Sequence, residues 1–96
     1  MSVAVLGVGQ TAFTKQIGIS CEELVHAAVR RAVADAGINF SDIGFAAVGS
    51  VTVTGGVGQR CLKDLGLIGG VPIVNVENAC STGSTALREA HAWVAA

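Results

Sequence analysis

The sequence predicts an α/β fold with parallel strands. Three observations carry this expectation. Apolar, β-branched runs alternate with helical periodicity, in the order strand, helix, strand, short helix, strand, helix. Glycines mark most of the changes between elements. No repeat, low-complexity stretch or linker interrupts the pattern, so a chain of 96 residues holds at most one domain.

The elements follow in order. Val3 to Val8 is a β-branched run ending at Gly7 and Gly9, which reads as a buried strand. Residues 10–19 connect it to Ser20-Cys21-Glu22-Glu23, a capping-box sequence that starts a helix running to about Ala36. Val25, Val29, Ala32, Val33 and Ala36 form its apolar stripe. Glu22, His26, Arg30, Arg31 and Asp35 form the expected wet face, and Gly37 ends the helix. Asn39 to Asp42 make a turn, and Ile43 to Val53 reads as the second strand. Thr54-Gly55-Gly56-Val57-Gly58 is a loop, Gln59 to Leu65 a short helix closed by Gly66, and Gly69-Gly70 a further break. Val71 to Val76 is the third strand, with Pro72 near its start. A helix then runs from Ser81 to Ala96. It carries only Arg88 and Glu89 as charges, and a helix so apolar is expected to lie inside a larger body.

Composition narrows the function classes. Net charge is −1, which gives no electrostatic case for nucleic acid or an acidic membrane. No apolar run approaches the roughly 18 residues of a membrane span. The opening Met1-Ser2-Val3-Ala4-Val5-Leu6 lacks the basic start of a signal peptide. Three cysteines, none in Cys-x-x-Cys, argue against a disulfide framework or a zinc site, and for reduced thiols in a cytoplasmic setting. No metal-ligand spacing is present, so no metal is expected. Charged residues make up 14% of the chain, against about 25% in typical soluble domains. Much of the surface is therefore expected to be covered, by a partner copy or by further chain.

Cys80 is the leading candidate for chemistry. It falls between a buried strand and the start of a helix. Unpaired N–H groups and the positive end of the helix dipole there favour a thiolate. Ser81, Thr82, Gly83 and Ser84 are small and are expected to leave room for a substrate. The C-terminal ends of strands in α/β sheets are also where ligands bind. From the residues alone two readings stand: a nucleophile, or an inert packing cysteine. Cys21 and Cys61 read as packing residues or exposed thiols. Gly7-Val8-Gly9-Gln10-Thr11-Ala12 fits G-x-G-x-x-A, but the helix starts too late and no acidic residue ends the second strand. A tight turn is the better reading. His26 reads as a solvated partner of Glu22. His91 lies about 16 Å from Cys80 along the helix axis, too far to act as its base.

The segment Val74-Asn75-Val76-Glu77-Asn78-Ala79-Cys80-Ser81-Thr82-Gly83-Ser84-Thr85-Ala86-Leu87 resembles the nucleophile segment of the thiolase superfamily, in its sterol-carrier/lipid-transfer type. Val5-Leu6-Gly7-Val8-Gly9-Gln10-Thr11-Ala12-Phe13-Thr14-Lys15 is similar to the opening strand and loop of that group. The resemblance covers the whole chain and assigns Cys80 the nucleophile position. It implies that residues 1–96 are part of the N-terminal half of a five-layer α-β-α-β-α sandwich, cut within the helix after Cys80. The implied protein is a homodimer that forms or cleaves a C–C bond in acyl-CoA substrates through an acyl-cysteine, in lipid or sterol side-chain metabolism. Coenzyme A thioesters are its substrates, and no cofactor is implied. The activating histidine and a second cysteine are expected beyond residue 96, so an isolated chain is expected to be inactive. Two alternatives accompany this reading. One is a thiolase-like aldolase that cleaves β-hydroxyacyl-CoA with an OB-fold partner protein. The other is a non-catalytic structural fragment.

Overall fold

The computed structural model describes residues 2–67 and 70–96. Helix α1 spans Cys21–Ala36 and begins as its sequence dictates: Ser20 Oγ accepts the Glu23 N–H at 3.1 Å. Its last turn closes on Gly37, whose φ of 68° lies in the left-handed region, and the Gly37 N–H donates to Val33 and Ala34 carbonyls. A short 3-10 turn at Phe40–Asp42 leads to strand β1, Ala46–Gly49. Helix α2 follows at Val57–Leu62 and tightens into a 3-10 turn, Lys63–Leu65, that ends on left-handed Gly66. Strand β2 is Ile73–Val76, and helix α3 is Thr82–Ala95. The strands pair in parallel, with Ala46 opposite Ile73 and Gly49 opposite Val76. The expected α/β alternation is therefore present. Of the glycine pair expected before β2, Gly69 lies outside the described residues, as does Met1.

Side chains alternate across the pleat and sort the helices into two layers. Ala46, Val48 and Ile73 point to one face, where they pack with Val25 and Val29 of α1 against buried Leu62, Leu65 and Leu67. α2 sits close on this face because Gly58 has no side chain. A Cβ there would meet Asn75 Oδ1 at 2.8 Å, Ile73 Cγ2 at 2.9 Å and Val48 Cγ2 at 3.1 Å. The opposite face carries α3. Phe45 stacks on Trp93 with ring centroids 4.5 Å apart and an interplanar angle of 11°. Gly49, on the same side, admits Thr82: a Cβ on Gly49 would lie 2.6 Å from Thr82 Cγ2. The small sheet is thus enclosed between α1 and α2 below and α3 above.

Three local expectations need correction. Val3–Val8 is not a strand in this chain. It lies extended across α1, where Gly7 and Gly9 allow a close approach; a Cβ on Gly7 would be 2.5 Å from Ala36 N, and one on Gly9 would strike the Ala28 carbonyl. The Val8 N–H donates to Asp35 Oδ2 at 2.9 Å, and Arg31 donates to the Gln10 carbonyl at 2.5 Å. Two residues of the expected wet face thus pin this segment. Val5, Leu6 and Val8 remain exposed rather than buried. The second strand is also shorter than Ile43 to Val53, because pairing stops at Gly49. Beyond it the chain turns, and Ser50 Oγ accepts the Val53 N–H at 3.1 Å. Finally, His26 is not a solvated partner of Glu22. It is half-buried with Nε2 enclosed and without a hydrogen-bond partner among the described residues, while Glu22 lies 3.8 Å from Arg60.

Candidate active site

Cys80 lies where the sequence puts it, between the C-terminal end of β2 and the start of α3. Val76 ends the strand, and a 3-10 turn at Ala79–Ser81 precedes the helix. The turn is tight enough to force Ala79 to a φ of 48°, in the left-handed region that an alanine occupies only at a cost of roughly 1–2 kcal/mol. Several hydrogen bonds hold it there. Thr82 Oγ1 accepts the Asn78 N–H at 2.8 Å and donates to the Ala79 carbonyl at 2.7 Å. The Glu77 carboxylate accepts the Ala79 N–H at 2.5 Å. Asn78 Nδ2 donates to Thr85 Oγ1 at 3.1 Å, and Thr85 Oγ1 donates back to the Ser81 carbonyl at 2.8 Å. Thr82 is buried at 7% exposure, so its hydroxyl works in a partly dry setting. The cysteine itself is exposed and its thiol is free.

A strained, side-chain-braced turn presents the sulfur outward at the head of a helix. Such a thiol can meet a flat electrophilic carbon without rearrangement of the backbone. Beside the turn, a cavity of about 290 Å³ opens at the C-terminal ends of both strands, and Glu77 borders it together with Ser50, Thr54, Gly56 and Asn75. Asn75, in its lining, is held by two hydrogen bonds. Asn75 Oδ1 accepts the Gly58 N–H at 2.6 Å, and its Nδ2 donates to Gln59 Oε1 at 2.8 Å.

Gly83 is exposed, and a Cβ on it meets nothing within 4 Å. The first turn of α3 directs Thr82, not Gly83, at the sheet. The close approach of α3 to the sheet is made at Gly49. Neither histidine attends Cys80: His26 belongs to α1, and His91 lines a separate apolar groove with Leu87, Ala90 and Val94. Among the described residues, no group of three or more His, Cys, Asp or Glu side chains is arranged to hold a metal ion. Among them too, no helix is long and apolar enough to cross a membrane.

Glu77 and Gly49 are candidate-site residues to which sequence reasoning assigns no role, and Thr82, read from sequence only as a small residue that leaves room, braces the turn instead. A signal for Thr82 was present. Threonine soon after a strand end and at the head of a helix is placed to bond nearby backbone groups. Cys21 and Cys61, assigned no role by sequence, are brought together by α1 and α2 with their sulfurs 3.7 Å apart. Burial pushes the Cys61 thiol up to about 11, and the Cys21 hydrogen bond and the charges of Cys21 and Glu22 add to that rise.

Comparison with known proteins identifies the relatives. The chain is 46% identical over 88 residues to sterol carrier protein 2 of Gallus gallus, a match covering 88% of this chain and 16% of that protein. It is 41% identical over 88 residues to the non-specific lipid-transfer protein-like 2 of Caenorhabditis elegans, covering 88% of this chain and 21% of the relative. The acetyl-CoA acetyltransferase of Methanocaldococcus jannaschii extends the match to thiolases, at 37% identity over 92 residues, covering 92% of this chain and 24% of the enzyme. The chain is therefore similar to both lipid-transfer and thiolase members of the thiolase superfamily. The thiolase-like chain thus spans only a small part, about a sixth to a quarter, of these curated relatives. No family model matches it.

Proposed function

We propose that the protein to which this segment belongs is an acyltransferase of the thiolase type, with Cys80 as its nucleophile. The observation that carries the reading is the placement of an exposed thiol on a braced, strained turn between β2 and α3. The chemistry follows from that placement. The Cys80 sulfur attacks the thioester carbon of an acyl-CoA, the carbonyl π pair moves to oxygen, and the backbone N–H of Cys80 stabilises the oxyanion. Collapse of the intermediate breaks the carbon–sulfur bond to coenzyme A, which leaves as a thiolate and takes up a proton. The acyl group is then on Cys80. A second acyl-CoA, deprotonated beside its carbonyl, attacks that acyl carbon and forms the new C–C bond, while the bond to the Cys80 sulfur breaks and the cysteine leaves as a thiolate. Thiolysis is the same path reversed.

In the whole protein the three layers described above form part of the N-terminal half of a five-layer sandwich, and a base outside residues 1–96 activates the thiol. A homodimer working in the cytoplasm on lipid or sterol side-chain acyl-CoA, without a further cofactor, fits this reading. The names of the sterol carrier relatives support lipid substrates. The test is acylation. Full-length protein incubated with radiolabelled acetyl-CoA and digested should carry label on the Cys80 peptide alone, and Cys80→Ala should carry none.

A second reading, lipid carriage, rests on the apolar groove of about 520 Å³ between Val5 and Leu6, the end of α1, and Leu87 and Val94 of α3. Binding of a fluorescent acyl chain that survives Cys80→Ala and fails in Leu87→Glu would favour carriage. Turnover of a β-hydroxyacyl-CoA that survives Cys80→Ala, with an OB-fold partner present, would favour an aldolase.

A further inference from the structure

Cys21 opens α1 and is half-buried; Cys61 lies in α2 and has no exposed surface. They are 40 residues apart in sequence, yet their sulfurs approach to 3.7 Å, and both thiols are free. Neither takes part in the chemistry proposed for Cys80. From these positions we infer that Cys21 and Cys61 form an oxidisable dithiol that closes to an intramolecular disulfide when the protein meets a peroxide.

The asymmetry of the pair sets the order of events. Cys21 is the partly exposed member of the pair and Cys61 has no exposed surface, so the peroxide reaches Cys21 first. Its thiolate attacks one peroxide oxygen, the O–O bond breaks, and Cys21 becomes a sulfenic acid while the other oxygen leaves as water. The Cys61 sulfur then attacks the Cys21 sulfur, the S–O bond breaks, and hydroxide departs with the Cys61 proton as a second water. Two thiols and one peroxide give one disulfide and two waters. A disulfide holds its sulfurs about 2.05 Å apart, so closure asks for a shift of roughly 1.7 Å, within reach of side-chain rotation. Cys61 is a resolving thiol here and not an entry point, because nothing dissolved can touch it before Cys21. The cross-link ties α2, which borders the cavity at the strand ends, to α1.

The experiment uses full-length protein under native conditions. It is treated with one equivalent of hydrogen peroxide, then unfolded in denaturant containing N-ethylmaleimide so that every remaining thiol is alkylated, digested without reductant and mapped by mass spectrometry. The expected product is a Cys21–Cys61 peptide pair lighter by two hydrogens than the reduced peptides and restored by dithiothreitol. In Cys61→Ser, dimedone should trap Cys21 as the sulfenic acid in much higher yield than in wild type. In Cys21→Ser, Cys61 should stay reduced. Oxidation of Cys21 to the sulfinic acid with Cys61 still alkylated would overturn the inference. So would a Cys21–Cys80 link, or no oxidation of either thiol while Cys80 is oxidised. The wild-type map decides the question even where a serine variant fails to fold.

Discussion

The hydroxyl of Thr82 accepts the backbone N–H of Asn78 at 2.8 Å and thereby fastens the residues before Cys80 to the first turn of α3. The same oxygen donates to the Ala79 carbonyl, so one side chain closes the turn from both ends. Replacement by valine keeps the shape and removes the polar atom. Thr82→Val should destabilise by about 1–3 kcal/mol, the cost of leaving a partly buried N–H and carbonyl unpaired. Thr82→Ser, which keeps the oxygen and loses the methyl, should be milder. Thermal unfolding of both variants in the full-length protein checks this. If the valine variant matches wild type in stability and acylation, the turn is held by other means.

Glycines at 49 and 83 should respond in opposite ways. Gly49→Ala places a methyl 2.6 Å from Thr82 Cγ2 and 3.3 Å from the Thr82 carbonyl, and the helix must shift to make room. A loss of roughly 1–3 kcal/mol is expected from this overpacking. Gly83→Ala meets nothing within 4 Å inside this chain and replaces a glycine in a helix, which favours stability by roughly 0.5–1 kcal/mol. Denaturant unfolding of the two variants should bracket the wild type. A Gly49→Ala protein as stable as the parent would mean that α3 stands further from the sheet.

What the sequence revealed and what it hid divides along local and long-range interactions. The start and stop of α1 were legible because Ser20, Glu23 and Gly37 act within a turn of the helix end. The position of Cys80 was legible for the same reason: a β-branched run gives way at once to small residues and helical spacing. Val3–Val8 misled because a strand exists only with a neighbour to pair with, and its β-branched composition says nothing of whether one is present. Here Asp35 and Arg31 hold it on a helix instead. The contact between Cys21 and Cys61 was invisible for a related reason. It depends on α2 crossing α1, and no spacing within either helix encodes that crossing.

Cys61 makes stability depend on alkaline pH. Its folded-state value is raised from 9.0 to about 11, chiefly by burial, so the folded protein keeps a proton that the unfolded chain gives up. Below pH 9 both states hold the proton and the group has no effect on the balance. Between pH 9 and 11 the unfolded state binds fewer protons, and stability falls as pH rises. The expected loss is on the order of 1–3 kcal/mol across that range. Cys61→Ala should begin less stable but show a flatter profile there. Urea midpoints measured at intervals from pH 8 upward (about half a unit apart) test the sign, and equal slopes in both proteins would rule out Cys61 as the source.

The exposed apolar residues of α3 should govern how this chain behaves when it is prepared as residues 1–96 alone. Leu87 is 64% exposed, Trp93 52% and Val94 55%, and Leu87 and Val94 face a groove shared with exposed Val5 and Leu6. Each large apolar side chain left in water forgoes roughly 1.5–3 kcal/mol of burial, so several in one patch are a strong drive to associate. A net charge of −1 opposes that association only weakly. Sedimentation of the 96-residue chain should therefore show concentration-dependent self-association, with binding of a hydrophobic dye. Leu87→Lys with Val94→Glu should reduce both, because the two positions stand on one side of α3 and would place charges in the middle of the patch. Acyl-CoA turnover should be missing in either form, since the two histidines of the chain lie on α1 and late on α3, away from Cys80. A monomeric parent with a single sharp melt would show that the patch is too small to drive contact. Measurable turnover would show that Cys80 finds its base within these residues.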